Sequence, residues 1–302
     1  MRKIGLVSAL AVLCLQTGAQ DSAVKKVYPT QVFLSQKLIN AKTVETIRKG
    51  WLDFSVTHNF GDIGGSAGGA ENFFGLDNAT DIRIAFQYGL SKKTNLVFSR
   101  SKGSGAVNQL FELGLKHQFV NQGGEKNHPF SITAYGNIVA SAEKVSGGAT
   151  PENSYSNFSD RLSQMLQLMI ARKFGGSSFQ LSPTYLYTNY TVPGEQKALF
   201  ALGAAARIPL SKKFVFITDY FHPFRSKESE VAISNAQGID QFDALGVGFE
   251  IVTPGHVFNL NFTNATNILE NRFLQRTFTS WGKGQWRWGF TISRSFIVKR
   301  GG

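Results

Sequence analysis

The sequence predicts an all-β fold, a closed antiparallel up-and-down transmembrane β-barrel of about twelve strands. Three observations predict it. Apolar and polar residues alternate with period two through many segments, which gives each strand two unlike faces. Most of these segments reach the roughly 9–11 residues that a tilted strand needs to cross a bilayer. The connections between them are mostly short on one side and long on the other, as in barrels that expose tight turns at one end and loops at the other.

Taken in order, strands are expected at 51–60, 80–91, 94–102, 107–120, 129–143, 159–174, 178–190, 197–210, 213–223, 241–252, 256–265 and 285–298. In the first, Leu52, Phe54, Val56 and Phe60 alternate with Asp53, Ser55, Thr57 and Asn59. In the second, Ile82, Ile84, Phe86 and Tyr88 alternate with Asp81, Arg83 and Gln87, and the tight Leu90-Ser91-Lys92-Lys93 turn leads into the third. In the fourth, Phe111, Leu113, Leu115 and Phe119 face away from Glu112, Lys116 and Gln118, and a Gly-Gly turn within 121–128 precedes the fifth. The sixth is ambiguous. Leu162, Leu166 and Ile170 suit an amphipathic helix, yet Leu162, Leu166, Leu168, Ile170 and Phe174 also share one strand parity.

Gly175-Gly176-Ser177 separates the sixth strand from the seventh, and a second Leu-Ser-Lys-Lys, 210–213, separates the eighth from the ninth. Sequences flanking the two Leu-Ser-Lys-Lys copies do not match, so they read as similar hairpin turns rather than a duplicated half. Thr253-Pro254-Gly255 supplies a Pro-Gly turn after the tenth strand. Phe258, Leu260 and Phe262 mark the eleventh, and Trp286, Trp288, Phe290 and Ile292 the twelfth. The long connections 61–79, 144–158, 224–240 and 266–284 are rich in Gly, Ser and Asn. Both termini are then expected on the short-turn, periplasmic side, with 21–49 as a periplasmic segment folding back under the barrel mouth. Trp281, Trp286, Trp288, Tyr185, Tyr187 and Tyr190 suit interfacial girdles. A soluble β-sandwich is the competing fold, but closure into a barrel leaves no unpaired edge in lipid.

Composition agrees with export. The 302 residues are 42% hydrophobic and 13% aromatic but only 17% charged, which excludes a disordered chain. No segment after the leader approaches the roughly 20 apolar residues of a membrane helix. Residues 1–20 read as a signal peptide: Arg2 and Lys3, then the apolar stretch Ile4 to Leu15, then Thr17-Gly18-Ala19 as the cleavage site. Cys14, the only cysteine, would leave with it, so the mature chain is read as lacking disulfides and thiolates. The net charge of +12 falls to +10 without Arg2 and Lys3. The remaining charges are scattered, so no nucleic-acid partner is expected; an anionic membrane surface or a positive pore lining fits better.

Two further stretches carry a resemblance. Gly255-His256-Val257-Phe258-Asn259-Leu260-Asn261-Phe262-Thr263-Asn264, with Trp286 and Gly289-Phe290-Thr291-Ile292-Ser293-Arg294-Ser295-Phe296, is one of them. Leu52-Asp53-Phe54, His58-Asn59-Phe60-Gly61 and Phe73-Phe74-Gly75-Leu76-Asp77-Asn78-Ala79 form the other. Over about residues 30–298 the chain resembles a domain-of-unknown-function family of exported β-barrels typical of Bacteroidota. The resemblance implies a Gram-negative outer-membrane barrel, surrounded by lipid and built by the barrel-assembly machinery. It brings no catalytic residues.

The residues themselves suggest no catalytic, cofactor or metal site. His58, His117, His128, His222 and His256 show no ligand spacing, and the Gly-rich run 61–69 reads as a surface loop. What alternation does nominate is an inner surface: Asp53, Asp81, Arg83, Glu112, Lys116, Arg207, Asp219, Glu250 and Arg287 are the candidate lumen-lining residues. Arg294 is out of place, sharing parity with Phe290 and Ile292, and calls for snorkelling or a bulge. The expected function is a monomeric narrow channel or binding protein for small polar or anionic solutes. A barrel enzyme acting on lipid or envelope material and a closed structural barrel are the alternatives.

Overall fold

The computed structural model describes residues 28–65, 67–124, 126–145, 152–253 and 256–298. The leader reading, with Cys14, and the Pro254-Gly255 turn lie outside them. Twelve strands form one closed ring in chain order. They are β1 Trp51–Asp62, β2 Ala79–Gly89, β3 Thr94–Gly103, β4 Gln109–Val120, β5 Ser131–Ser141, β6 Leu162–Phe174, β7 Ser177–Thr188, β8 Ala198–Pro209, β9 Phe214–Phe224, β10 Ala244–Thr253, β11 His256–Thr263 and β12 Arg287–Ile297. Every neighbouring pair is antiparallel, and the ring closes where β1 meets β12, from Trp51 opposite Ile297 to Asn59 opposite Gly289. Strand ends differ from the expected ones by no more than three residues.

Period two decides the faces. Leu113, Leu166, Leu181 and Phe200 point outward and are more than half exposed. An apolar belt of this extent would be untenable in water, and in a bilayer it is the lipid contact. The strand parity of β6 prevails over its helical spacing because both its flanks pair, with β5 and β7. Arg294 needs no bulge. Register is regular through its pairing with Phe54, and its guanidinium lies over the Phe296 ring, 5.1 Å from the centroid. The two Leu-Ser-Lys-Lys turns are built alike: Leu90 and Ser91 N–H both donate to the Thr94 carbonyl, and Leu210 and Ser211 N–H to that of Phe214.

The structure corrects three expectations. Residues 224–240 are not all loop: Ser226 caps an α-helix, α1 (Lys227–Gln237), by accepting from Ser229 N–H at 3.1 Å. Tyr190 joins no girdle. It falls beyond the end of β7, where strand parity no longer directs it, and is buried with its hydroxyl donating to Ser163 at 2.9 Å. The described part of the N-terminal segment, residues 28–49, does not rest beneath the mouth. Val32, Phe33, Leu38, Ile39, Ala41 and Val44 are all buried among inward side chains of the strands.

The outward belt sets one expectation. Leu168, midway along β6 and outward-facing, tolerates no charge. Leu168→Lys should cost about 2–4 kcal/mol, read as a lowered urea midpoint for unfolding from phospholipid vesicles.

Candidate functional site in the lumen

All nine nominated side chains lie on the buried face of their strands. Most are fully engaged. Arg83 donates to Glu112 at 2.6 Å, Arg207 to Glu250 at 2.8 Å, and Arg287 to Asp62 at 2.6 Å. Asp81 accepts from the Ser101 hydroxyl and the Ile268 amide, each at 2.7 Å. Lys116 reaches the Gln36 side-chain oxygen at 3.1 Å. Asp53 accepts from the Ser295 hydroxyl at 2.8 Å. Asp219 binds backbone, as follows.

Residues 30–47 run through the interior without forming a helix or a strand. Their amides and carbonyls therefore need partners from elsewhere. The wall supplies them. One Asp219 oxygen accepts from three successive amides, Ile39 at 3.1 Å, Asn40 at 2.7 Å and Ala41 at 2.8 Å, and the other from the Asn40 side chain. Successive amides converging on one anion make a strong, directional contact. Gln180 brackets the next turn, donating to the Lys42 carbonyl and accepting from Val44 N–H. Gln118 and Thr133 both donate to the Val44 carbonyl, and Asn95 accepts from Ile47 N–H. Within the segment, the Glu45 carboxylate closes a loop by accepting from Val32 and Phe33 N–H, both at 2.9 Å.

Apolar contacts share the load. Phe33, Leu38 and Ile39 belong to one cluster with Met165, Met169, Ala205, Ile217 and Phe221 of β6, β8 and β9. Two inward glycines make the fit feasible. A Cβ at Gly246 would sit 2.6 Å from Ile39, and one at Gly89 would sit 2.1 Å from the Arg48 carbonyl.

A second segment fills the other end. Between β11 and β12, residues 264–277 are buried almost throughout and include a short helix, α2 (Glu270–Phe273). Asn59 donates to the Ala265 carbonyl, Asn271 bridges Asn137 and Ser163, and Phe273 packs edge-on to Phe221 at 5.2 Å. Arg276 grips both carboxylate oxygens of Glu195, at 2.7 and 2.6 Å, and also pairs with Glu152, which Arg272 approaches at 3.4 Å. Burial alone would raise the Glu152 pKa, but the two guanidiniums hold it below its ordinary value.

The segments meet at the centre. Lys42 from the first lies 2.5 Å from Glu270 of the second and 3.6 Å from Glu112 of the wall. Glu112 also accepts from Ser99 at 2.5 Å, Tyr135 at 2.6 Å and Asn137 at 2.8 Å. Two anions and two cations, Arg83 and Lys42, thus balance at the midpoint of the lumen. The nominated residues include Glu112 and Arg83 but miss Lys42, Glu45, Glu152, Glu270, Arg272 and Arg276, which belong to no strand and so carry no parity. One cue was present: Val32-Phe33-Leu34, Ile268-Leu269 and Phe273-Leu274 are apolar beyond the needs of a solvated lead or loop.

Comparison with known proteins gives a family and a fold. The model of a family described as "Membrane bound beta barrel domain (DUF5777)" matches residues 33–296. No curated protein matches significantly. Among solved structures, an outer membrane channel from Pseudomonas putida F1 superposes with a TM-score of 0.50 at 10% identity, covering 85% of this chain and 100% of its own. The KdgM porin, in complex with disordered oligogalacturonate, gives 0.47 at 10% identity, covering 82% of this chain and 99% of its own. The NanC porin gives 0.47 at 6%, covering 81% and 98%. At these identities the likeness is one of fold.

Two outcomes follow for the internal segments. Asp219→Ala strips three buried amides of their acceptor, each worth about 1–3 kcal/mol. Trypsin should then cut the folded barrel at Lys37 or Lys42, where the parent resists. Glu152, with its pKa depressed in the folded state, contributes stability that is complete above its ordinary value of 4.5 and lost as pH falls through the lower folded value. Hydrogen exchange of residues 268–277, corrected for intrinsic rate, should therefore lose protection on acidification, and Glu152→Gln should show the loss already at neutral pH.

Proposed function

The chain belongs to the family of membrane-bound β-barrel domains, and from that premise we propose that it is an outer-membrane channel for small polar solutes, held shut in this conformation by its own two internal segments. Both termini and the short turns face the periplasm in this reading, and the barrel works as a lipid-embedded monomer inserted by the assembly machinery. The observation that carries the reading is the chemistry of the junction between the segments. Lys42, Glu270, Glu112 and Arg83 meet as ions, and a buried ionic contact gains little over apolar packing of the same volume. A seal meant to be permanent has no use for it. A seal meant to open does, because each ion has water to return to.

Five carboxylates and four basic groups make up the nominated wall residues. The wall alone therefore gives no strong anion preference, and the reading is of polar solutes of either sign. A second reading, a closed structural barrel, is favoured by the apolar seating of Phe33, Leu38 and Ile39 against β6, β8 and β9.

Planar-bilayer recording separates the two. The parent should conduct rarely, while Glu270→Lys, which turns the junction repulsive, and a deletion of 266–278 should give stepwise currents. A deletion variant that migrates as a folded barrel and still passes no current would establish the closed barrel.

A further inference from the structure

At the turn end, a recess of about 310 Å³ opens between the N-terminal segment and the β1–β12 seam. Ser35, Ser293 and Ser295 line it with hydroxyls, Trp51 and Val257 give it apolar sides, and Asp53 lies in its wall. Asp53 is 5% exposed. One of its oxygens accepts from Ser295. The other, Oδ1, is buried and has no hydrogen-bond partner among the described residues.

That oxygen is unlike the other wall carboxylates. Asp81, Glu112 and Asp219 each have donors at both oxygens. A buried acceptor without a donor is costly, and an ionised one more so. The neighbouring serines add neutral oxygens, which can accept as well as donate. The buried cation Lys116 is engaged by Gln36. The recess thus holds an anionic acceptor, a ring of neutral acceptors and an apolar side, and it is too large for a bare ion. Trp51 already carries a cation, the Arg48 guanidinium, 5.5 Å from its ring centroid.

We propose that this recess binds a primary alkylammonium group with a short carbon chain, the ammonium donating to Asp53 and the serine hydroxyls and the chain lying against Trp51 and Val257. Three N–H donors on one compact cation match one carboxylate oxygen and two hydroxyls. The site faces the turn end and does not depend on the lumen opening, so its test and that of the channel reading fail separately.

The test is calorimetric titration of the full-length barrel in detergent, at neutral pH, with n-butylamine, 1,4-diaminobutane, butyrate and n-butanol. The amines should bind saturably, butyrate not at all, and Asp53→Asn should weaken the amines at least tenfold. Ser293→Leu, which fills the recess from the opposite strand with Asp53 intact, should abolish binding equally. Heat-modified gel migration confirms that each variant is a folded barrel. The proposal is overturned if the amines do not bind, if they bind both variants as they bind the parent, or if butanol or butyrate binds as well as they do.

Discussion

A polypeptide passing through the inside of a barrel without helix or strand has no ladder to pair its own backbone. Meeting that requirement shapes most of what is found in this lumen. Asp219, Gln180, Gln118, Thr133, Asn95 and Asn259 each give or take a hydrogen bond with the backbone of residues 38–47. Asn59 and Asp81 do the same for residues 265–268. The polar inner face therefore serves first as a set of surrogate strands for two irregular segments. Its ion pairs are secondary, balancing charge where those segments touch.

The wall is divided to match. The inner faces of β1 to β4 are polar or charged at most positions, from Asp53 through Arg83 and Ser99 to Lys116, whereas β6, β8 and β9 present Met165, Met169, Ala201, Ala205, Ile217 and Phe221. The N-terminal segment answers both halves, turning Phe33, Leu38 and Ile39 toward the apolar side and Lys42 toward Glu112. A uniformly polar wall would leave those apolar residues without partners. A uniformly apolar wall would orphan the backbone.

Period two made the barrel legible from the sequence, along with the inward set and the outward Arg294. Parity is a property of each strand alone, so it needs no knowledge of neighbours. It fails where strands end. Tyr190 turns inward two residues past β7, and the ligands of Asp219 are amides 178 to 180 residues away in sequence. No local pattern in Ile39-Asn40-Ala41 announces that pairing. The helix α1 was missed for a milder reason: Ser, Asn and Gly around it outweighed the Ser226 cap and the acidic first turn, Glu228 and Glu230. In the candidate site, half of the charge network was visible as wall residues, and the remainder hung on segments whose course only the closed ring determines.

The reach of the N-terminal segment constrains the order of assembly. It leads directly into β1, yet it is held by β7, β9 and β11, through Gln180, Asp219 and Asn259. It cannot dock when it is made; it must wait for strands synthesised well over a hundred residues later. Those contacts, like the β1–β12 closure, span well over a hundred residues and are formed only after a large loop has been closed. Closing the ring and filling it are thus coupled late events, and a barrel that shut with the segment outside would leave Asp219, Gln180, Gln118, Thr133, Asn95 and Asn259 without their backbone partners. Correct threading is enforced by the same hydrogen bonds that later hold the segment in place.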